Sequence, residues 1–247
     1  MVGEDPNSHL YINIKERKCR ELGFHSEKYI LSDHIKEEEL LNIIQKLNKD
    51  TNIDGILVQL PLPKHLNKLN IFNSIDPLKD VDGFSFFNLG ALYYKDYGTA
   101  LLPCTPLGIL DLIKNSEITL EGKEIVIVGR SAIVGKPLSI LLLNENATVT
   151  LAHSKSTNLV KIIKKADILI SAVGKPKLIR KYMIKEGAAV IDVGISKVDG
   201  KLVGDVDFEN VTKKAAYITP VPGGVGPMTI AMLMQNTLKS YKLKNKL

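Results

Sequence analysis

A glycine-containing turn follows one of the most apolar runs of the chain. Residues 125–128 are Ile-Val-Ile-Val, and Gly129, Arg130 and Ser131 come directly after them, with Gly135 four residues later. A strand, a tight turn and a helix start in this order are typical of a dinucleotide diphosphate site, because glycine lets the backbone approach the phosphates. The turn departs from G-x-G-x-x-G, so by itself it is equally compatible with an ordinary connection between a strand and a helix.

Two features of this turn favour NADP over NAD. The next predicted strand ends in residues 151–155, Leu-Ala-His-Ser-Lys, where an NAD site usually carries a carboxylate for the ribose hydroxyls. The chain has four arginines against 29 lysines, yet Arg130 lies in the turn, and a guanidinium binds phosphate bidentately. A surface arginine in a loop is the alternative. We predict an NADP site that includes Gly129, Arg130, Ser131 and Ser154.

Tyr11 and Lys15 are four residues apart, so a helix would place them on one face. A lysine can move a proton near neutral pH if burial and a cationic neighbour lower its pKa from about 10.4. Position alone does not distinguish Lys15 from a solvated surface lysine. Gln59, at a predicted strand end, and Asp82, before a glycine, are equally ordinary when taken one at a time.

The elements that must position these residues alternate between strand and helix. We predict strands at 55–58, 124–128, 148–151, 168–172 and 189–193. Helices are predicted after an Asp33 cap, at Thr105-Pro106, and near Val134, Thr157 and Leu178. The last helix is predicted from about Pro227 to Tyr241, with Ile230, Leu233, Met234, Thr237 and Leu238 on its core side. Regular alternation after Gly122 predicts a parallel sheet covered on both faces, and therefore an α/β protein.

Composition excludes several classes of protein. The 247 residues are 45% hydrophobic and 24% charged, which is enough for a core and unlike a disordered chain. The net charge of +6 is mixed along the sequence, so the basic stretches at 161–165 and 239–246 indicate solvated faces rather than a nucleic-acid site. No apolar run reaches the ~18 residues of a membrane span. The two cysteines indicate neither a disulfide framework nor a metal site, and we expect a cytoplasmic protein.

Five segments occur in an order that resembles one enzyme family. They are DGILVQLPLP at 54–63, KDVDG at 79–83, PCTPLG at 103–108, GRSAIVGKP at 129–137 and PVPGGVGP at 220–227. Together they resemble the bifunctional methylenetetrahydrofolate dehydrogenase/methenyltetrahydrofolate cyclohydrolase family, from Val2 to about Leu238. The resemblance implies two α/β domains with a cleft between them. Residues 1–105, completed by 226–247, would form a folate-binding catalytic domain, and residues 106–225 a Rossmann-like NADP domain.

The resemblance also implies an activity and partners. NADP would oxidise 5,10-methylenetetrahydrofolate to the methenyl form, and water would convert that to 10-formyltetrahydrofolate, in one-carbon metabolism that serves purine biosynthesis. The substrates would be tetrahydrofolate derivatives, polyglutamylated forms included, and the protein would be a homodimer. Neither nucleic acid nor membrane is an implied partner.

Residue roles follow from the same resemblance. Lys15 would be the catalytic lysine, Gln59 would hydrogen-bond it and favour its neutral form, and Tyr11 would stack on the p-aminobenzoyl ring. Asp82 would pair with the pterin donors, whereas Asp80 would be structural. Further substrate contacts are implied for Val58, Leu60, Pro222, Gly223, Gly224, Val225 and Gly226, and Ile195 would line the nicotinamide pocket. We interpret Cys104 and His153 as packing and loop residues.

Three alternatives remain open at this level. The chain could keep the dehydrogenase activity alone, be another NADP oxidoreductase of the shikimate-dehydrogenase type, or be a folate- and NADP-binding module inactivated by N-terminal truncation. The family normally carries a helix and most of a strand ahead of the segment that begins at Val2. We therefore expect the full-length gene product to include them. We also expect the 247-residue chain alone to have a folate domain that is less stable than its NADP domain and prone to association.

Overall fold

The structure is a computed structural model that describes residues 1–247, apart from the side chain of Asn7. It divides into two compact units. Unit 1 comprises Met1–Leu102 together with Leu233–Leu247, and unit 2 comprises Pro103–Met232. The sequence predicted domain boundaries after residues 105 and 225. In the structure the second boundary lies seven residues later, inside the last helix.

Unit 1 contains four helices before residue 103. They are α1 (Pro6–Glu21), α2 (Glu37–Lys49), α3 (Lys68–Ser74) and α4 (Phe86–Tyr94). The predicted strand at 55–58 forms a single parallel bridge, between Ile56 and Asp80, and a second parallel bridge joins Val2 to Leu31. The predicted Asp33 cap is wrong, because α2 follows Lys36 and begins with three glutamates whose charges favour a helix N-terminus by themselves.

The core of unit 1 lies between α2, α3 and the segment around Ile56, and includes Leu40, Ile44 and Ile71. Beside this core is a cavity of about 610 Å³. Residues 53–59 form one wall, residues 28–31 form another, and α1, α2 and the last helix complete the lining. Lining residues such as His25 and Tyr29 are exposed, so the cavity is open to solvent on one side.

Unit 2 is built on a five-stranded parallel sheet. Its elements are α5 (Cys104–Asn115), β1 (Glu124–Val128), α6 (Gly135–Leu143), β2 (Thr148–Ala152), α7 (Leu159–Ile163), β3 (Ile168–Ser171), β4 (Ala189–Asp192), β5 (Ser196–Val198), β6 (Lys201–Val203), α8 (Phe208–Val211), β7 (Tyr217–Ile218) and α9 (Val225–Asn245), the last of which continues into unit 1. The strand order is β2-β1-β3-β4-β7, with β5 and β6 as a separate antiparallel hairpin. The predicted α/β class with a parallel sheet is confirmed.

Two helix predictions in unit 2 need correction. The helix predicted near Leu178 is wrong, because Ile179 instead forms a parallel bridge with Val206 and only a short 3-10 turn follows, at Lys181–Met183. Helix α5 begins at Cys104, one residue before Thr105, and receives no side-chain cap. The Thr105 hydroxyl lies 3.0 Å from that of Thr229 instead.

The last helix, α9, packs differently from its predicted core face. Leu233 and Met234 are buried as predicted, but Leu238 is 46% exposed. Asn236 and Ser240 are buried in its place because they bind main-chain carbonyls of unit 1. The Asn236 side-chain amide donates to the carbonyls of Val81 and Leu102, each at 2.8 Å. Of the helices that the structure describes, none is long and apolar enough to cross a membrane.

Candidate active site

Lys15 and Gln59 are brought together in unit 1. Helix α1 carries Lys15, and it starts where Asp5 accepts a hydrogen bond from the Ser8 backbone N–H and Pro6 takes the first helical position. The Lys15 Nζ donates to the Gln59 Oε1 at 2.9 Å. The Gln59 Nε2 donates to the carbonyl of Leu60 at 2.7 Å. Because an amide has its donor and acceptor on different atoms, the Leu60 contact keeps the oxygen turned towards the lysine.

Sequence reasoning missed Ser8, although it stands in the segment that starts α1. Its side chain is buried, and its Oγ lies 3.2 Å from the Leu60 carbonyl oxygen and 2.9 Å from the Asp5 Oδ1. The Leu60 carbonyl is therefore approached by two side chains, those of Ser8 and Gln59. A serine two residues after a proline is typical of a helix start, and this pattern does not indicate a contact with the Leu60 carbonyl.

Tyr11 lies one turn before Lys15 on α1 and is half-buried. Burial raises the pKa of its phenol, so the ring stays neutral around neutral pH. The side chain of Val58 is buried in the core of unit 1, which leaves its backbone as the part that a ligand could reach. Leu60 contributes its carbonyl, as described above.

Asp80 and Asp82 differ in how they are used. The Asp80 carboxylate is buried and accepts hydrogen bonds from the backbone N–H groups of Gly83 and Ser85 and from the side-chain amide of Asn88. These contacts hold the turn together, which is the structural role predicted for Asp80. Asp82 is half-buried in the same turn, and its role as a pterin ligand stays a prediction.

The predicted phosphate turn in unit 2 requires its glycines. Gly129 has a φ of +128°, and a Cβ atom there would lie 2.4 Å from the carbonyl oxygen of Ala172. A Cβ atom on Gly135 would lie 2.2 Å from the carbonyl oxygen of Gly129. The turn follows β1, which lies between β2 and β3 in the sheet. In open α/β sheets such a turn at the carboxyl end of a central strand is where dinucleotides bind.

Some of the backbone hydrogen-bond donors at this turn already have a partner within the protein. The Ser131 Oγ accepts hydrogen bonds from the backbone N–H groups of Val134 and Gly135, so two donors at the start of α6 are already engaged. Arg130 is exposed, and its guanidinium is therefore the charged group that the turn offers to a phosphate.

Ser154 lies at the same edge of the sheet as the turn. Strands β1 and β2 are parallel with Val128 opposite Ala152, and the Gly129 N–H donates to the Ala152 carbonyl at 2.8 Å. The exposed residues that follow the two strands therefore leave the sheet side by side. His153 accepts a hydrogen bond from the backbone of Lys155 at its Nδ1, as expected of a polar loop residue.

The segment from Pro222 to Gly226 is shaped by its glycines. Gly223 has a φ of +106°, and a Cβ atom on Gly224 would lie 2.6 Å from the carbonyl oxygen of Pro220. A Cβ atom on Gly226 would lie 3.9 Å from the Cδ1 of Ile195. Ile195, 40% exposed, is thus adjacent to the start of α9, as a shared apolar wall would require.

The two cysteines are free thiols with different surroundings. Cys104 is buried, and the Cys19 thiol lies 3.8 Å from the sulfur of Met234. Within the part of the chain that the structure describes, no group of three or more His, Cys, Asp or Glu residues could hold a metal ion.

Comparison with known proteins identifies the family. Residues 1–82 match the tetrahydrofolate dehydrogenase/cyclohydrolase catalytic domain, and residues 103–245 match the NAD(P)-binding domain of the same family. The bifunctional protein FolD of Hydrogenobaculum sp. (strain Y04AAS1) is 54% identical over 98% of this chain and 87% of its own length.

Solved structures agree with this match. The bifunctional FolD of Campylobacter jejuni is 51% identical, with a TM-score of 0.95 over 100% of this chain and 86% of that one. The Trypanosoma brucei enzyme, solved in complex with NADP and an inhibitor, is 40% identical, with the same TM-score and coverage. The chain described above therefore belongs to the tetrahydrofolate dehydrogenase/cyclohydrolase family.

Proposed function

We propose that Lys15, held by Gln59, carries the cyclohydrolase reaction of this protein. The protein is a bifunctional enzyme, a methylenetetrahydrofolate dehydrogenase with NADP as its cofactor and a methenyltetrahydrofolate cyclohydrolase. The family assignment favours this function over a dehydrogenase alone and over an inactive binding module. The observation that supports the residue assignment is the 2.9 Å contact between the Lys15 Nζ and the Gln59 Oε1.

The hydrolytic reaction needs a proton carrier at a fixed place. Water adds to the cationic methenyl carbon and loses one proton to solvent. The bond from that carbon to N5 then breaks as the new hydroxyl becomes the formyl carbonyl, and the hydroxyl proton is transferred to N5. We assign the carrying of this proton to the Lys15 Nζ, because general acid–base catalysis requires a group within hydrogen-bond reach of the reacting atoms. Gln59 accepts from Nζ and so fixes the rotamer of the lysine. Tyr11, neutral and on the same helix, offers a flat face for an aromatic part of the substrate.

Substrate orientation is assigned to Asp82. A carboxylate can accept two parallel hydrogen bonds from the amino group and ring N–H of a pterin. Asp80, the other carboxylate of this turn, already accepts three hydrogen bonds inside the protein. Asp80 is thus committed to the fold of the turn, and we assign the pterin contact to Asp82, the position to which the family resemblance gives it.

The residues of unit 2 fit a dinucleotide. Gly129 and Gly135 leave no space for a Cβ atom because backbone carbonyl oxygens lie beside them, which fits the tight turn and close helix–strand packing of a dinucleotide site. Arg130 and Ser154 would hold the 2′-phosphate of NADP, and Ile195 with Val225 and Gly226 would line the nicotinamide. When bound, NADP supplies the hydride acceptor. The protein's part in that step is to bind and orient, since hydride transfer needs no protein acid or base.

The test of the residue assignment is a pair of lysine variants on α1. Lys15→Ala should lower cyclohydrolase turnover by roughly 100-fold or more, within the usual contribution of general acid–base catalysis. Lys18→Ala is the matched control, since Lys18 is on the same helix but pairs with Glu21 at 2.5 Å on the surface. Hydrolysis of the methenyl compound is followed by its absorbance and corrected for the spontaneous rate. An unchanged rate in Lys15→Ala would exclude the assignment.

We further propose that the enzyme is a cytoplasmic homodimer that accepts polyglutamylated folates and supplies one-carbon units for purine biosynthesis. The free cysteines support a reducing compartment, and the rest is supported by the family resemblance. Light scattering tests the dimer: twice the chain mass of 27.3 kDa is expected, and a mass near 27.3 kDa would contradict it.

A further inference from the structure

Two buried carboxylates lie at the carboxyl edge of the unit 2 sheet, and the function described above assigns them no role. Asp192 is the last residue of β4, opposite Ser171, the last residue of β3. Asp205 comes two residues after the hairpin of β5 and β6. Asp192 is 3% exposed and Asp205 is fully buried. Carboxylates at this depth require compensating hydrogen bonds, so their donors indicate what they hold in place.

Asp205 fixes the segment that follows β3. Its Oδ2 accepts from the Ser171 hydroxyl at 3.0 Å and from the Val173 N–H at 2.8 Å. Its Oδ1 accepts from the Lys175 N–H at 2.7 Å. Residues 171–175 are therefore bound to one carboxylate at three points.

Asp192 fixes both ends of the segment that contains the hairpin. Its Oδ1 accepts from the backbone N–H groups of Gly194 at 3.2 Å and Asp205 at 2.9 Å. Its Oδ2 accepts from the Val206 N–H at 2.9 Å. Gly194 precedes the hairpin and the other two residues follow it, so one carboxylate closes the whole segment.

Each carboxylate also occupies the space that a side chain would need on a glycine near the other aspartate. A Cβ atom on Gly194 would lie 2.1 Å from the Asp205 Oδ1, and one on Gly204 would lie 1.9 Å from the Asp192 Oδ2. The two aspartates and two glycines thus interlock, and we call Asp192 and Asp205 together the aspartate clamp. The clamp accepts six hydrogen bonds, five from backbone N–H groups and one from a hydroxyl.

The two segments held by the clamp are those that touch the predicted cofactor site. The carbonyl of Ala172, in the segment bound by Asp205, is the group against which Gly129 of the phosphate turn packs. Ile195 directly follows Gly194, which Asp192 binds, and it lies beside Gly226. The clamp therefore connects one wall of the phosphate turn with one wall of the nicotinamide pocket.

We propose that Asp192 and Asp205 are positioning residues for NADP, acting through residues 172–175 and Ile195 rather than by touching the cofactor. This proposal rests on the assignment of unit 2 as the NADP site. A purely structural role would predict a loss of stability alone. A positioning role predicts weaker NADP binding in protein that remains folded.

The variant that tests this is Asp205→Asn. An amide has nearly the same shape, but it presents an N–H group to one of the donors that the carboxylate accepts. Because an unpaired buried donor is costly, we expect the KM and Kd for NADP to rise about tenfold, and dehydrogenase kcat to fall. Cyclohydrolase turnover, which uses no cofactor, should stay within about twofold at a temperature well below the melting transition. Ser171→Ala, which removes one donor only, should give a smaller rise in the KM.

Asp167→Asn is the matched control. Asp167 precedes β3 at the opposite end of the same sheet, and its carboxylate accepts from the Glu124 N–H and from Lys185. Its replacement should lower the melting temperature and leave the KM for NADP unchanged. NADP binding is measured independently of turnover, as the increase in melting temperature that the cofactor produces.

The outcomes separate the proposal from the assigned function. An unchanged KM and Kd for NADP in Asp205→Asn, or an equal loss of both activities, would exclude the positioning role. Failure of the wild-type protein to bind NADP would instead remove the assignment of unit 2 on which the proposal rests. Asp192→Asn, measured in the same way, should reproduce the rise in KM through the Ile195 side of the clamp.

Discussion

The side-chain amide of Gln59 joins Lys15 to the main chain: its oxygen accepts from the Lys15 Nζ at 2.9 Å, and its nitrogen donates to the Leu60 carbonyl at 2.7 Å. The second bond matters as much as the first, because it prevents the amide from turning a donor towards the ammonium group. A lysine held in this way loses little conformational freedom when a substrate binds.

Gln59→Ala should therefore reduce cyclohydrolase turnover by about tenfold, since Lys15 would remain but without a fixed rotamer. The dehydrogenase should be affected less. Gln45→Ala is the control, because the Gln45 amide binds a main-chain carbonyl on the surface of unit 1. Equal rates for the wild-type protein and Gln59→Ala would contradict this role.

Arg130→Ala should discriminate between the two dinucleotides. Removing a guanidinium from a 2′-phosphate should raise the KM for NADP by roughly 10- to 100-fold and leave that for NAD nearly unchanged. Arg180→Ala, which removes an arginine paired with Asp207 elsewhere on unit 2, is expected to change neither. Parallel loss with both dinucleotides would show that Arg130 does not recognise the 2′-phosphate.

Ser8→Ala tests the residue that sequence reasoning missed. Its hydroxyl lies 3.2 Å from the Leu60 carbonyl that orients Gln59, so its removal should lower cyclohydrolase turnover by about threefold. The effect should vanish in a Gln59→Ala background, since both side chains act through the same carbonyl. Additive losses in the double variant would indicate an independent role.

Stability should depend on pH through Asp192. Burial, with a further contribution from the charge of Asp205, raises the pKa of Asp192 to about 6 from an ordinary 3.8. The folded protein thus binds this proton more tightly than the unfolded chain. The contribution of Asp192 to the free energy of unfolding is largest below pH 4 and falls as the pH rises through 6.

At about 1.4 kcal/mol per pKa unit, the fall amounts to at most about 3 kcal/mol. Asp192→Asn should remove it, so the difference in unfolding free energy between the wild-type protein and the variant should change between pH 4 and pH 7. Urea titrations at several pH values measure this difference. A difference that is independent of pH would contradict the raised pKa.

Hydrogen exchange should distinguish the two units. Residues 55–58 pair through a single bridge and border a cavity of about 610 Å³, whereas β3 is buried between two strands. We expect the amides of 55–58 to exchange faster than those of β3, because a segment that pairs through one bridge beside an open cavity opens to solvent more easily. Added NADP should slow exchange in unit 2. Equal protection of the two segments would mean that the cavity does not weaken unit 1.

The sequence predicted unit 2 more accurately than unit 1, for a physical reason. The four predicted strands in unit 2 end within one residue of β1, β2, β3 and β4. Strands β1, β3 and β4 are buried apolar runs, whereas β2, at the edge of the sheet, alternates apolar and polar residues. In unit 1 the segment 55–58 is equally apolar but pairs only at Ile56, and no local signal reports which partners a strand finds.

The candidate site residues also differ in whether the sequence alone could predict them. The phosphate turn could be predicted from its residues, whereas Lys15, Gln59 and Asp82 were recognisable only through the family resemblance. The aspartate clamp escaped prediction because its two carboxylates are 13 positions apart and meet through backbone N–H groups, which carry no sequence signal.

The position of α9 has a consequence for how the protein is made. Unit 2 is continuous in sequence, but unit 1 needs Asn236 and Ser240, which bind its carbonyls. Both residues follow unit 2 in the sequence, so a ribosome adds them only after it has synthesised the whole of unit 2. The half that carries Lys15 therefore cannot complete its fold until the NADP-binding half has been synthesised, although most of its own residues are made first.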